Sequence, residues 1–109
     1  MPNSKFKIEE IEEGKGQEVM GGDYIVIHYK GTLEDGSEFD SSYSRGEPFK
    51  TRIGVGQVIE GWDMGVLGMK KGGKRKLNIP PQLAYGERSI GSIPANSTLI
   101  FEVELIDIE

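Results

Sequence analysis

Asp40 and Arg45 are the two charged residues whose types and spacing could do acid–base chemistry in this chain. A carboxylate works as a general acid or base only where its surroundings tune it, and a guanidinium a short loop away would do that. The pair reads more simply as a structural, hydrogen-bonded ion pair. His28 is the only histidine and there is no cysteine, so a metal site or a nucleophilic triad lacks its usual partners. Its neighbours Val26 and Lys30 give His28 a structural role. The missing cysteines also exclude disulfides and thiolate chemistry. Gly68, Gly73 and Lys74 match G-x-x-x-x-G-K, but Arg75 stands where serine or threonine would ligate magnesium. That segment leaves a helix and enters a strand, the reverse of a phosphate loop, and reads as a tight connection. Asn96-Ser97-Thr98 matches a glycosylation acceptor, which carries weight only in a secreted chain. No metal and no cofactor is expected.

The remaining distinctive residues are apolar: Tyr29, Phe39, Phe49, Val58, Ile59, Trp62, Tyr85 and Phe101. Taken singly, each is a core residue. Taken together, they make either a plain core or an open pocket on which several elements converge at Trp62. The stretch "GQVIEGWDMGVLGM" sets this only tryptophan among Gly56, Gly61, Gly65 and Gly68, none of which can shield it.

These residues need elements to carry them. "DYIVIHYKGTLEDGSEFD" alternates Ile25, Ile27 and Tyr29 with Val26, His28 and Lys30, a strand, and Asp35-Gly36 supplies a hairpin turn before the sheet resumes over 37–40. Shorter strands are expected around Phe6 and Ile8, over "PFKTRIG", and over "GGKRKLNIP", which stops at Pro80-Pro81. "TLIFEVELIDIE" is a long closing strand with Leu99, Phe101, Val103 and Leu105 on its inner face. Ile59, Trp62 and Val66 have the spacing of one face of a short helix. Each glycine costs such a helix about 1 kcal/mol relative to alanine, so it must lie packed across the sheet. The expected fold is α+β: an antiparallel, curved sheet of five to six strands wrapped around one short helix. "SSYSRGEP" and "QLAYGERSIGSIPANS" read as loop.

The chain of 109 residues is expected to be a single domain, residues 1–109, with Met1–Ser4 disordered. A net charge of −5 argues against nucleic acid as the principal partner. The run Lys70, Lys71, Lys74, Arg75 and Lys76 then reads as a solvated face, with an electrostatic docking patch as the alternative, and Glu9, Glu10, Glu12 and Glu13 as a charged sheet edge that discourages pairing. No apolar run has the length of a membrane span. "MPNSKFKIEE" lacks the apolar core of a signal peptide. A cytoplasmic monomer is expected.

Three stretches carry a resemblance: "VIHYKGTLEDGSEFDSSYSRGEPF", "GVGQVIEGWDMGVLGMKKGGKRKLNIPPQLAYG" and "IPANSTLIFEVEL". With V-I-x-G-W-[DE]-x-G, A-Y-G and I-P-x-[NH]-[AS]-T-L-x-F, the chain resembles the FK506-binding-protein family of peptidyl-prolyl cis-trans isomerases over nearly its whole length. The resemblance implies a shallow apolar pocket with Trp62 as floor and Tyr29, Phe39, Phe49, Val58, Ile59, Ile93 and Phe101 as walls. It implies that the Tyr85 hydroxyl and the Ile59 N–H donate to carbonyls of substrate or inhibitor. Asp40 becomes a polar contact at the rim, braced by Arg45 and Tyr29. The implied partners are proline-containing peptides, unfolded or partly folded proteins, and macrolides of the FK506 and rapamycin type, with no nucleic acid and no membrane. The loop "YGERSIGSIP" is one residue shorter than in many members and places Ser92 before Ile93. Two functions follow: an isomerase that speeds rotation about X–Pro bonds, or a module that holds proline segments without turnover. A chaperone is disfavoured, because chaperone-type relatives carry an inserted domain where this loop is short.

Overall fold

Alternating Ile25, Ile27 and Tyr29 with Val26, His28 and Lys30 produces strand β3 (Tyr24–Leu33), whose inward residues are buried. The computed structural model describes residues 5–109; the disordered tail expected for Met1–Ser4 lies outside them. A turn at Asp35-Gly36 follows β3, closed by Leu33 N–H to the Ser37 carbonyl at 2.9 Å. The Asp35 carboxylate accepts the Ser37 N–H and hydroxyl, at 2.9 and 2.6 Å, and Gly36 takes a φ of 90° that other residues resist. The chain then returns as β4 (Glu38–Ser41).

The remaining elements are β1 (Lys7–Glu12), β2 (Lys15–Glu18), helix α1 (Ser42–Arg45), β5 (Phe49–Arg52), helix α2 (Glu60–Gly65), β6 (Lys70–Lys71), β7 (Lys74–Ile79), a 3-10 turn (Pro81–Leu83) and β8 (Leu99–Ile108). All pairings are antiparallel, and the main sheet of six strands runs β1-β7-β8-β3-β4, with β5 also paired to β3. Bulges between Val26 and Ile27 against β8, and between Gly31 and Thr32 against β4, bend the sheet. Its concave face carries Ile25, Ile27, Tyr29, Leu77, Ile79, Leu99, Phe101, Val103 and Leu105, which enclose Trp62 and Val66 of the α2 region. The expected curved sheet around one short helix is the observed architecture.

Two of the four glycines around Trp62 explain how a six-residue helix persists. A Cβ on Gly61 would stand 2.5 Å from Ile79 Cγ2, and one on Gly65 would stand 2.8 Å from Leu77 Cδ1. The glycine face is therefore the contact with β7, and the tryptophan is turned toward a different part of the sheet. Arg75 on β7 secures the end of this helix. Its Nη1 donates to the carbonyls of Gly65 and Leu67, at 2.9 and 2.6 Å, while its Nε donates to Glu10 on β1 at 3.0 Å. Carbonyls at a helix C-terminus lack partners within the helix, and a guanidinium meets that need.

Several local features differ from the sequence reading. The glutamates lie on β1, an exposed edge strand as expected, but they face basic residues of β7 in register, Glu9 with Lys76, Glu10 with Arg75 and Glu12 with Lys74, so the two charge runs adjoin. "SSYSRGEP" contains α1, one turn capped by Ser41 Oγ and ended by Gly46 at a φ of 72°. β2 and β6 form a separate ribbon of two strands. Pro81–Leu83 forms a 3-10 turn where only loop is legible. None of these segments has a periodic apolar pattern, because caps and backbone pairing hold them.

Candidate active site

The aromatic residues converge on Trp62. Its ring lies edge-on to Tyr29, with centroids 5.2 Å apart, and to Phe101 at 5.3 Å; Phe39 meets Phe101 at 5.5 Å and Phe49 meets Trp62 at 6.1 Å. Edge-to-face packing of this kind stabilises aromatic clusters beyond their buried area. A cavity of about 270 Å³ opens above the ring, lined by Tyr29, Phe39, Asp40, Phe49, Gln57, Val58, Ile59, Trp62, Tyr85 and Phe101. The wall at Phe39 depends on Gly31, where a Cβ would stand 2.5 Å from Phe39 Cζ and 2.9 Å from Phe101 Cε1. All eight aromatic and aliphatic residues singled out as a set thus line one cavity.

Polar groups occupy the rim. Ile59 is the N-cap residue of α2, with extended backbone angles of −60° and 151°. Its N–H meets no acceptor among the described residues, and neither does the half-exposed Tyr85 hydroxyl. The loop entering α2 is held by Asp63, whose carboxylate accepts the N–H groups of Gly54 and Gly56 at 2.8 and 3.0 Å. That contact fixes Val58 and Ile59 at the cavity mouth.

Asp40, Tyr29 and Arg45 form a closed triangle. The Tyr29 hydroxyl donates to Asp40 Oδ2 at 2.5 Å, Arg45 Nη1 donates to Asp40 Oδ1 at 2.5 Å, and Arg45 Nη2 donates to the Tyr29 oxygen at 2.9 Å. Partial burial works to raise the Asp40 pKa, but the hydrogen bonds from Tyr29 and Arg45 outweigh it and hold the carboxyl below its usual range. Burial, and then donation to Asp40, push the Tyr29 phenol up. Asp40 is therefore a fixed anion and Tyr29 a fixed neutral donor. A group whose folded pKa is depressed adds stability above its unfolded pKa and loses it as pH falls through the folded value. Wild-type protein should accordingly lose its stability advantage over Asp40→Asn as pH drops below about 4, which urea unfolding of the two proteins on the acid side will read.

One expected wall residue, Ile93, is absent from the cavity lining, and one contributor was missed. Ile93 belongs to the buried core cluster, 6% exposed, and its backbone exchanges hydrogen bonds with Ile90 at 2.9 and 2.8 Å. Arg45 braces Asp40 and Tyr29 through its hydrogen bonds, and borders a groove with Glu47, Pro48, Phe49 and Lys50. Gln57 lines the cavity instead, its Oε1 accepting the Arg52 N–H at 3.3 Å. Its place next to Val58 was the one available signal.

An antiparallel sheet curved over α2, with an aromatic-floored cavity open at its mouth, defines a protein with an apolar ligand site. The chain matches the family model of FKBP-type peptidyl-prolyl cis-trans isomerases over residues 15–106. It is 58% identical over 106 residues to FK506-binding protein 1A of Neurospora crassa, covering 95% of this chain and 88% of that one. It is 54% identical over 102 residues to the FK506-binding protein of Neisseria meningitidis, covering 93% and 94%. The crystal structure of FkpA from Escherichia coli superposes with a TM-score of 0.89 at 49% identity, over 99% of this chain and 50% of that one. The chain belongs to the FKBP-type peptidyl-prolyl cis-trans isomerase family.

Proposed function

We propose that this chain accelerates rotation about X–Pro peptide bonds in the Trp62 cavity. The observation that carries this reading is an apolar, aromatic-floored cavity with two donors at its mouth, Ile59 N–H and Tyr85 hydroxyl, that meet no acceptor among the described residues. Rotation about a peptide bond faces a barrier of roughly 18–20 kcal/mol because resonance is lost. Both isomers of X–Pro are populated, yet they exchange on the order of 10–100 s. A twisted amide separates less charge than a planar one, so an apolar cavity disfavours the planar ground state more than the transition state. Only such differential binding speeds a reaction. In this reading the proline ring stacks on Trp62, between Tyr29, Phe49 and Phe101. Ile59 N–H and Tyr85 hold flanking carbonyls, and Asp40 presents a fixed acceptor. No covalent step is needed.

The relatives' name, FK506-binding protein, supports the same cavity as a macrolide site in this chain. We extend the reading to a cytoplasmic monomer acting on proline-containing segments of unfolded or partly folded proteins; a net charge of −5 supports solubility without association. Among the described residues no helix is long and apolar enough to cross a membrane.

The test is the cis-to-trans rate of a short Leu-Pro peptide at increasing protein concentration, with and without FK506. The expected result is a rate that rises with protein and collapses with the drug. Tight binding of peptide and drug without acceleration would instead make the chain a proline-binding module.

A further inference from the structure

The outer edge of β3 has a gap in its strand pairing. β5 pairs as far as Ile27, opposite Phe49, and β4 begins at Lys30, opposite Ser41. Tyr29 lies in the gap, and the Ser42 side chain fills it. Ser42 Oγ accepts the Tyr29 N–H at 2.7 Å and lies 3.3 Å from the Tyr29 carbonyl, to which it can donate. One hydroxyl therefore faces both backbone groups that a neighbouring strand would otherwise pair.

Ser42 is also completely buried and opens α1, the turn that ends in Arg45. Asp40 is two residues before it. The same side chain thus ties together, at the edge of β3, the backbones that carry Tyr29, Asp40 and Arg45.

His28 enters the same arrangement. Its Nδ1 is 2.8 Å from Ser42 Oγ, and its ring stacks on Tyr43 with centroids 4.6 Å apart and planes inclined by 15°. A serine hydroxyl has one proton to donate. With Nδ1 bare, that proton goes to the imidazole. With a hydrogen on Nδ1, the imidazole donates to Ser42 and the serine proton turns to the Tyr29 carbonyl. His28 thereby sets how fully Ser42 holds the Tyr29 backbone.

We propose that Ser42, oriented by His28, is a positioning residue for the isomerase reaction, acting through Tyr29 and its network with Asp40 and Arg45. The inference rests on the Trp62 cavity being the site of turnover.

The test compares four proteins, wild type, Ser42→Ala, His28→Phe and Tyr43→Phe, by X–Pro kinetics and by amide NMR. Ser42→Ala removes the hydroxyl with little change of volume. It should lower kcat/KM about tenfold, since small displacements of a positioned group cost up to a hundredfold. The Tyr29 amide proton should move upfield in the same protein. His28→Phe keeps a ring against Tyr43 but no nitrogen, and should lower kcat/KM by a smaller factor. Tyr43→Phe loses only the hydroxyl contact with Glu104, 2.9 Å long, and should retain wild-type turnover. A merely structural role predicts losses that follow unfolding free energy and disappear when every variant is folded. Ser42→Ala with a native spectrum and wild-type kcat/KM would overturn the inference. Should Ser42→Ala fail to fold, unchanged turnover in folded His28→Phe would do the same. A wild-type chain without turnover would sink the reaction assigned to the cavity, an outcome distinct from either.

Discussion

Trp62→Ala should lower kcat/KM for a Leu-Pro peptide by about one to two orders of magnitude. The estimate comes from the ring's contact with proline: burying a large apolar group contributes about 1.5–3 kcal/mol, and each 1.36 kcal/mol is tenfold in rate. The substitution also removes a side chain that is 4% exposed and packed edge-on against Tyr29, Phe49 and Phe101. Stability should fall by about 3–5 kcal/mol, the usual range for deleting a buried aromatic. Folding must therefore be checked by NMR or circular dichroism before kinetics are compared. Trp62→Leu fills part of the space without an aromatic face, so it should recover stability more than turnover. A folded Trp62→Ala protein with wild-type kcat/KM would move the reaction out of this cavity.

Gly61→Val should destabilise the protein by about 3 kcal/mol or more, at the upper end of what overpacking a core costs. The new Cβ would meet three atoms of Ile79 at 2.5, 2.7 and 2.8 Å. Ile79 is completely buried and β-branched, so its side chain has no open rotamer to move into. α2 must then lift from β7, taking Trp62 and Ile59 with it, and turnover should fall with stability. Gly65→Ala makes a useful contrast. Its Cβ meets the terminal methyls of Leu77 at 2.8 Å, which can rotate more readily, and alanine returns about 1 kcal/mol of helix propensity. Gly65→Ala should be the milder change in chemical denaturation. Equal stability of Gly61→Val and wild type would show that the helix is not held by this close approach.

The sheet was legible because its strands follow a rule of two. Burial alternates along β8 and along β3 beyond Ile27, although Val26 is buried as well, so Ile25, Ile27, Tyr29, Leu99, Phe101, Val103 and Leu105 could be placed on one face from residue type alone. The helix was legible from Ile59, Trp62 and Val66, and the aromatic set was visible as a set. Whether that set was core or cavity was not. The difference lies in rotations of a few side chains and in the space above one indole, and no spacing encodes that.

Tertiary structure decided the rest. Glu10 and Arg75 are distant in the chain, and only the β1–β7 register shows that the acidic and basic runs neutralise each other and secure the end of α2. Gln57 lines the cavity and Ile93 does not, a difference that residue type does not encode. The Ser42 contact with Tyr29 exists only because β4 and β5 leave a gap on the same edge of β3. Apolar burial is non-directional and written into residue type, so the sequence by itself determined which residues go inside and which repeat forms each element. Hydrogen bonds and close contacts depend on distance and angle between residues far apart in the chain, so only the folded arrangement decided which polar groups meet at the cavity.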